Sequence, residues 1–301
     1  MGVVELLFNV MGPVILIVAL GWFAGMRMPF DIGTLSRLAF YVLGPAFVLD
    51  VFADATLDGS VVLRLVVAAW ASMLAGGLIA WGLARARNIG PSRRGSAVMS
   101  SAYGNVGNAG LAISAFALGD DAIPIAAVLM IVINITGICV GVTLASAQSA
   151  GIGSAIARAL SAPMTIAAGI ALVMNVGSLE FPLVLDRSIS VMGAALIPVM
   201  LLTLGMQMAG EVRPTPEIDL GIVTLTKLVC VPLVAGIVGL SLGLDGDAFG
   251  VLVIQSSMPP AVFCAVVALE FDMEPERTTR TVLGATLIAL LTIPVALLAV
   301  T

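Results

Sequence analysis

The sequence predicts an all-α integral membrane protein of ten transmembrane helices, arranged as two inverted five-helix repeats with interrupted, crossing helices 4 and 9. Three observations predict this fold: the composition, the apolar runs, and a set of residues that recurs in both halves. Hydrophobic residues make up 60% of the 301 positions and charged residues only 10%, whereas a soluble domain carries about 25% charged residues. So few charges cannot cover a water-facing surface, and lipid must be the solvent for most of the chain.

The charge balance and the missing residue types exclude several classes of function. A formal net charge of −5 without a basic face argues against nucleic acid as a partner. There is no His, the usual general base and the commonest metal ligand. The cysteines (Cys139, Cys230 and Cys264) stand in apolar stretches without CxxC spacing, which is typical of small buried residues. We therefore expect no metal and no cofactor, and the lipid bilayer as the surroundings.

Ten apolar runs are long enough to be membrane spans, since a helix needs about 20 residues to cross the hydrocarbon core. The first run has no Lys or Arg before it and is expected to be a retained span and not a cleaved signal. The predicted spans cover residues 4–25, 34–54, 61–83, 95–118, 121–146, 157–176, 186–209, 218–243, 247–270 and 279–300.

The basic residues predict the orientation, because cytoplasmic links are enriched in Lys and Arg. With the N-terminus outside, only Arg64 and Arg187 fall on outer flanks, and Lys227 falls inside span eight. We therefore expect a multi-pass protein of the inner (cytoplasmic) membrane with both termini on the non-cytoplasmic side. The cytoplasmic links and flanks then hold Arg27, Arg37, Arg85, Arg87, Arg93, Arg94, Arg158, Arg213, Arg277 and Arg280.

Matching residues in the two halves predict an internal repeat, residues 1–150 and 151–301. SSAYGN in span four corresponds to SSMPP in span nine, and an acidic residue follows each at the same distance. Because five spans per repeat is an odd number, the halves must have opposite topology, the plan of many secondary transporters. The other matches are Pro13 with Pro163, Pro45 with Pro198, Arg64 with Lys227, and Asp120 with Glu276.

Span four contains the segment GNVGNAG, which is a poor helix interior. Gly104 and Gly107 stand beside Asn105 and Asn108, and glycine destabilises a helix interior and permits positive φ. If the helix breaks here, its free backbone groups and the amides would face a polar cavity. Irregular backbone at this depth is tolerated only where protein or water satisfies its hydrogen bonds. The alternative is a packing face of small residues with asparagine hydrogen bonds between helices.

Span nine contains Pro259 and Pro260, which lack N–H groups and clash with preceding carbonyls, so the helix should break near Met258. Carbonyls around Gln255, Ser256 and Ser257 would then be available as ligands; a simple kink is the alternative. Two broken helices crossing at one depth form the usual substrate site of inverted-repeat carriers, and the N-termini of their second halves would suit an anion such as a carboxylate.

Three further polar residues lie inside spans. Asn134 in span five could supply a third amide or simply make an interhelical hydrogen bond. Asp50 in span two is a candidate proton-coupling group, because a carboxylate in hydrocarbon is expensive; the alternative is an interfacial position. Lys227 is expected to extend its ammonium to the membrane interface, with a contact to substrate or to a helix break as the alternative.

The stretches SSAYGNVGNAGLAISAFALGDDA and QSSMPPAVFCAVVALEFDMEPERTTR resemble the auxin efflux carrier family, which includes plant auxin carriers and bacterial malonate- and malate-type transporters. LGAALIPVMLLTLGMQMAG and TKLVCVPLV resemble it more weakly. The resemblance extends over nearly the whole chain in order and spacing. One departure is Ala112, where the family often has proline. The link of about ten residues between spans five and six is similar to that of the compact bacterial type.

The resemblance implies a bile-acid sodium symporter-like fold within the wider bile-acid, arsenite and riboflavin transporter-like superfamily, and an elevator mechanism. Helices in 4–54 and 157–209 would form a scaffold, through which the protein would form a homodimer. Helices in 61–146 and 218–300 would form a moving transport unit. The substrate carboxylate would meet Asn105, Asn108 and Asn134, with Phe47 and Asp50 facing it from the scaffold.

The sequence thus predicts a secondary carrier of small organic anions, such as malonate, malate or auxin-like weak acids, with Gly104, Gly107, Ser256, Ser257, Pro259 and Pro260 also at the site. Coupling could use H⁺ through Asp50, or Na⁺ bound by Gln255 as in a bile-acid-type symporter; Lys227 is a third candidate for ion coupling. A passive channel is less expected, since no repeated polar pore face is visible. An enzyme is not expected, because the chain has no His, no clustered carboxylates and no suitable Ser or Cys dyad.

Overall fold

The structure is a computed structural model that describes residues 7–53, 55, 57–145, 157, 160–210, 217–270 and 273–300. In this part of the chain all named elements are helices, and the β-type pairing is limited to one isolated bridge between Gly104 and Pro260. The predicted all-α class is therefore confirmed. Uninterrupted apolar sequence explains it, because a backbone in lipid has to satisfy its hydrogen bonds within its own segment.

Fifteen helices are named here in chain order. They are α1 (Gly12–Arg27), α2 (Ile32–Leu38), α3 (Gly44–Ala53), α4 (Gly59–Ala86), α5 (Pro91–Ala102), α6 (Leu111–Leu118), α7 (Ala122–Ala145), α8 (Pro163–Val176), α9 (Leu183–Ala194), α10 (Leu196–Met208), α11 (Ile218–Leu225), α12 (Val231–Ser241), α13 (Gly246–Ser256), α14 (Phe263–Glu270) and α15 (Pro275–Leu298). Four π-helical turns adjoin them, at Leu7–Met11, Ala39–Leu43, Val106–Gly110 and Thr226–Cys230.

Six helical segments of the described chain are long and apolar enough to cross a membrane, with mean hydropathy between 1.5 and 2.3. They are Phe8–Arg27, Ile32–Ala53, Gly59–Ala86, Leu183–Met208, Ile218–Ser241 and Pro275–Leu298. Three apolar helices are shorter: Val106–Leu118, Ala122–Gly137 and Pro163–Val176. The chain is therefore a multi-pass integral membrane protein. The predicted spans 95–118 and 247–270 are each divided into two helices, which the next subsection describes.

Polar side chains satisfy several helix ends. Asp58 caps α4 by accepting a hydrogen bond from the Ser60 backbone N–H at 2.7 Å, and this bond lowers the pKa of the carboxyl. Just after the C-terminal end of α12, the Gly243 carbonyl accepts a hydrogen bond from the Arg64 guanidinium at 3.0 Å. The Asn175 amide donates to the carbonyls at the end of α3, including that of Ala53 at 3.1 Å. These contacts replace the partners that helix termini lack.

A charged cluster joins the beginnings of α5, α11 and α15. The Arg93 guanidinium donates twice to the Asp219 carboxylate, at 2.9 and 3.1 Å, and Arg277 lies 3.5 Å from the same carboxylate. Glu217 contacts Arg277 and lies 3.7 Å from Arg280. Asp219 is buried, so its two arginine partners are what make the charge tolerable there. The cluster therefore fixes the ends of three helices relative to one another.

Helices α1 and α10 pack at unusually close range. A Cβ added at Gly21 would overlap the backbone carbonyl of Leu202, and one added at Gly205 would overlap the backbone carbonyl of Val18. Glycine at both positions lets the two backbones touch, which is how helices associate strongly in lipid. The buried side chains Val14, Leu201 and Leu204 continue this contact, and Leu201 is fully buried.

We predict that Gly21→Ala lowers the free energy of unfolding by about 1–3 kcal/mol, because the added methyl meets backbone and no side chain can turn away. Thermal unfolding of the purified protein in detergent measures the change. Gly82→Ala in α4 is the matched control, since nothing lies within 4 Å of its added Cβ and alanine favours a helix. Equal stability of the two variants would contradict the close α1–α10 contact.

Candidate substrate site

The first interruption lies between α5 and α6. Helix α5 ends at Ala102, and the chain continues through Tyr103 in an extended conformation (φ −103°, ψ 111°) to Asn105 (φ −79°, ψ 59°). A π-helical turn, Val106–Gly110, then leads into α6. The break therefore falls on Gly104 and Asn105, in the segment where the sequence predicts it. Ala112, which stands where the family often has proline, is buried in α6, so the break forms without that proline.

The second interruption lies between α13 and α14. Helix α13 ends at Ser256, and α14 begins at Phe263. Pro259 and Pro260 stand in the middle of the connecting segment, where neither could donate a helical hydrogen bond. The proline pair explains why the helix cannot continue, and the predicted alternative of a simple kink is wrong, because the gap spans a full turn and more.

The two interruptions pair with each other through their backbones. Gly104 and Pro260 form an antiparallel bridge. The Asn105 backbone N–H donates to the Pro259 carbonyl at 2.7 Å, and the Ala261 N–H donates to the Tyr103 carbonyl at 3.0 Å. Each break thus supplies partners for backbone groups that the other has released, which lipid could not do. The crossing of the two interrupted helices is a feature of this structure.

A cavity of about 490 Å³ lies against the crossing. Five predicted site residues line it: Gly104, Asn105, Gly107, Asn108 and Asn134. The first four come from the first break and the turn after it, and Asn134 comes from α7. The residues of spans four and five that the sequence assigns to one site therefore line one cavity. This volume is within the range of small-molecule sites.

Both second half-helices begin in the cavity wall. Val106 and Gly107 start the helical segment after the first break. After the second break, Val262 directly precedes α14 and Phe263 begins it, and all four residues line the cavity. The first N–H groups of a helix have no partner within the helix and carry partial positive charge. Because two such ends lie in the wall of one cavity, the cavity is suited to an anionic group.

The Asn105 side chain is held at the cavity with hydrogen-bonding capacity to spare. Asn105 is only 5% exposed, and its Nδ2 has no hydrogen-bond partner among the described residues. Burying an amide without a partner costs about 1–3 kcal/mol. An unpaired donor at the wall of a cavity is the arrangement expected of a group that binds a ligand.

Tyr103 is a site residue that the sequence reasoning did not single out. Its hydroxyl donates a hydrogen bond to Asn134 Oδ1, and its ring packs edge-on against Phe263 with the centroids 5.9 Å apart. All three residues line the cavity. Asn134 thus makes the interhelical hydrogen bond proposed as its alternative role, and also faces the cavity. The signal was available in the sequence, since Tyr103 is the one aromatic residue in the motif SSAYGN.

The cavity extends from the crossing to the end of α2. Ser36 and Arg37, both exposed residues, line this end, together with Thr203 and Gln207 from α10. The Arg37 guanidinium donates to the Gly33 carbonyl at 3.3 Å. From the sequence, Arg37 counts only as a basic flank and Gln207 as interfacial, because no linear pattern places either of them beside span four.

Phe47 and Asp50 do not line the cavity. Phe47 is buried in the hydrophobic core, where its backbone lies against α9: a Cβ added at Gly193 would be 3.0 Å from Phe47 Cα and 3.4 Å from Asp50 Cβ. Phe40 and Tyr41, one to two turns earlier in the same predicted span, take that place in the wall. The prediction that span two lines the cavity is right, but the lining residues lie earlier in the span than Phe47 and Asp50.

The predicted residues of span nine lie beside the cavity and not in its wall. Pro259 and Pro260 make the backbone pairing, and Ser257 is buried with its hydroxyl donating to the Val253 carbonyl at 2.8 Å. Gln255 is fully buried, and neither of its amide atoms has a partner among the described residues. Ala261 and Val262, directly after the prolines, provide the lining.

Lys227 does not extend to the membrane interface, and that prediction is wrong. The residue is 2% exposed, and its ammonium donates to the Ser256 carbonyl at 2.7 Å. The π-helical turn Thr226–Cys230 carries it into the bundle, beside the second break. The alternative predicted from the sequence, a contact with a helix break, is what the structure shows.

Comparison with known proteins gives two matches. Residues 150–297 match the model of a family described as membrane transport protein. The chain is also 25% identical over 268 residues to a protein of Methanothermobacter thermautotrophicus described as an uncharacterized transporter, and the alignment covers 88% of this chain and 87% of that protein.

These matches agree with the resemblance in both interrupted spans, since the family match contains the whole of span nine and the archaeal relative aligns along most of the chain. They also agree with a multi-pass helical fold that has a cavity beside two broken helices. Both matches support a membrane transporter, and the family match over the second half of the chain agrees with the resemblance of its sequence to the auxin efflux carriers.

Proposed function

We propose that this protein is a secondary carrier of small organic anions, with a carboxylate of the substrate bound at the helix crossing. The observation that carries the proposal is a cavity lined by amide side chains, with the beginning of the helical segment after each break in its wall. A carboxylate there would accept hydrogen bonds from Asn105 Nδ2 and from the first backbone N–H groups after the break. Asn108 and Asn134 add further amides. Neutral donors hold an anion without a fixed ion pair, which allows its release on either side.

The proposed mechanism is elevator-type alternating access on a fold of ten helices in two inverted repeats, residues 1–150 and 151–301. The packing supports it, since the helices fall into two sets of neighbours. Helix α1 packs with α10, and α3 with α8 and α9; α4 packs with α5 and α12. In this proposal the first set is the scaffold, which also forms a homodimer, and the second set carries the crossing. The cavity has walls from both sets, as a site that slides past a scaffold requires.

The proposed orientation is that of the positive-inside pattern, with both termini outside the inner membrane. The cavity reaches Ser36 and Arg37 in the last turn of α2, on the side predicted to be cytoplasmic. The conformation is then one that opens inward. Arg37 at this entrance would raise the local concentration of anions, since charged clefts attract ligands of opposite charge.

Two coupling ions fit the proposal. A proton would be carried by Asp50, which lies on α3 against α9, outside the cavity wall. Sodium is the alternative, and its candidate ligand is the Gln255 amide, which is fully buried with neither atom paired among the described residues. Oxygen atoms of amides and carbonyls are suitable ligands for a hard cation.

We predict that Asn105→Ala and Asn108→Ala abolish uptake of malonate into proteoliposomes while leaving expression and thermal stability close to wild type. Stability should persist in Asn105→Ala because the lost Nδ2 has no protein partner to leave behind. Asn175→Ala is the matched control, since its amide holds the carbonyls at the end of α3. It should lower stability by about 1–3 kcal/mol and keep transport.

Wild-type uptake in the Asn105→Ala and Asn108→Ala variants would contradict the proposed carboxylate site. Uptake that stays linear in malonate concentration in the wild type would indicate a passive channel and not a carrier.

We predict that Tyr103→Phe weakens malonate binding about tenfold, because Asn134 Oδ1 loses its donor and the amide is no longer held in one orientation. The ring contact with Phe263 is retained in this variant, so folding should be little affected. Equilibrium binding to purified protein measures the change, and Tyr41→Phe, at an exposed position of the wall, is the control. An unchanged affinity in Tyr103→Phe would remove this pair from the site.

We predict that Asp50→Asn flattens the pH dependence of uptake if Asp50 carries the coupling proton. Uptake is measured between pH 5 and 8 (about the range in which proton gradients are set) with equal Na⁺ on both sides. The same pH profile in wild type and variant would exclude Asp50 from coupling, and a stimulation of uptake by a Na⁺ gradient would favour the Gln255 alternative.

A further inference from the structure

The Lys227 ammonium lies between the two helix breaks. Its Nζ donates to the Ser256 carbonyl at 2.7 Å, at the last residue of α13. A Cβ added at Gly104, in the first break, would lie 3.0 Å from Lys227 Cε and 3.1 Å from Nζ. The cation therefore contacts the end of α13 and lies close to Gly104 in the first break, and Lys227 is 2% exposed.

The charge of Lys227 is compensated by backbone and not by a carboxylate. None of the ion pairs of the described residues includes Lys227. The last carbonyls of a helix lack intrahelical partners and carry partial negative charge. The Gln255 carbonyl accepts from the Met258 N–H at 3.3 Å, which leaves the Ser256 carbonyl to the ammonium. A charge buried in this way inside a membrane is expensive and marks a functional group.

The same groups would suit an alkali cation. Backbone carbonyl oxygens at the C-terminal ends of interrupted helices coordinate Na⁺ in membrane carriers. In this chain the carbonyl is already bound to an ammonium. A second monovalent cation next to it would be repelled, most strongly where water is scarce.

We propose that Lys227 is a tethered cation, a positioning residue whose ammonium holds the end of α13 against Gly104 and makes a bound Na⁺ unnecessary for assembling the substrate site. Gly104 transmits the effect, because it lies close to the ammonium and also lines the cavity. Lys227 itself is not in the cavity wall, so its charge reaches the anion only across the backbone. The inference rests on the proposed carboxylate site and addresses its dependence on cations.

The test begins with ligand-free protein. Thermal unfolding of the purified full-length chain is measured in NaCl and in choline chloride at equal ionic strength, and with added ethylammonium. For the wild type, the unfolding temperature should be the same in all three solutions, and the same should hold for Lys227→Arg. Lys227→Ala should unfold at a lower temperature in choline and recover in part, saturably, with Na⁺ or ethylammonium, which can enter the space of the lost ammonium.

Arg64→Ala is the matched control, because Arg64 also donates to carbonyls at a helix end, those of Leu242 and Gly243, but at an exposed end away from the crossing. It should lose stability without recovery by any cation. Two results would overturn the proposal: a saturable stabilisation of the wild type by Na⁺, or recovery of Lys227→Ala no greater than that of Arg64→Ala. If Lys227→Ala does not fold, the wild type and Lys227→Arg still decide, since sodium dependence in either contradicts a tethered cation.

A second measurement concerns the site. In choline, Lys227→Ala should need about tenfold more malonate than wild type for the same thermal shift, with the difference reduced by Na⁺. Wild type should respond equally in both salts. If the wild type responds to no carboxylate, the proposed function fails, while the ligand-free comparison still decides the role of Lys227. Equal malonate affinity of Lys227→Ala and wild type in choline would overturn the positioning role.

Discussion

The whole site depends on one constraint: backbone that leaves a helix inside a membrane needs partners for its N–H and C=O groups. Two short segments meet this requirement by pairing with each other, through the Asn105–Pro259 and Ala261–Tyr103 hydrogen bonds. Neither break could exist alone at low cost, so the two are structurally one element. Because both then restart as helices at the same place, their N-terminal ends are brought to a common cavity.

The electrostatics of the crossing follow from this geometry. An interrupted helix creates a C-terminal end as well as an N-terminal one, and the two have opposite partial charge. In this protein the N-terminal ends face the cavity, and the C-terminal end of α13 receives the Lys227 ammonium. The positive ends are left available while the negative end is neutralised internally. In the proposed function, this separation would favour an anion at the crossing without a fixed cation in contact with it.

Sequence reasoning predicted the features that arise from local chemistry. Glycine beside asparagine and a proline pair break helices wherever they occur, so both interruptions could be placed, and Gly104, Asn105, Gly107, Asn108 and Asn134 could be assigned to one cavity. The features it missed depend on which helices become neighbours. No linear pattern puts Arg37 or Gln207 beside span four, and the residue of span two that faces the cavity is Phe40, about two turns before Phe47. The position of the Lys227 ammonium was misjudged because the Ser256 carbonyl is free to accept its hydrogen bond only where α13 ends.

The cavity wall also contains the methionines Met130, Met164 and Met200, and Met130 and Met200 lie beside Gly107. Methionine is unbranched and polarisable, and it changes shape at little energetic cost. A substrate held at one end by its anionic group would therefore meet a wall that adapts to the rest of the molecule. Exchanging one methionine for a bulkier or smaller residue would alter the tolerated tail without disturbing the backbone that anchors the head. Diversification of related carriers toward new compounds could proceed along this wall alone.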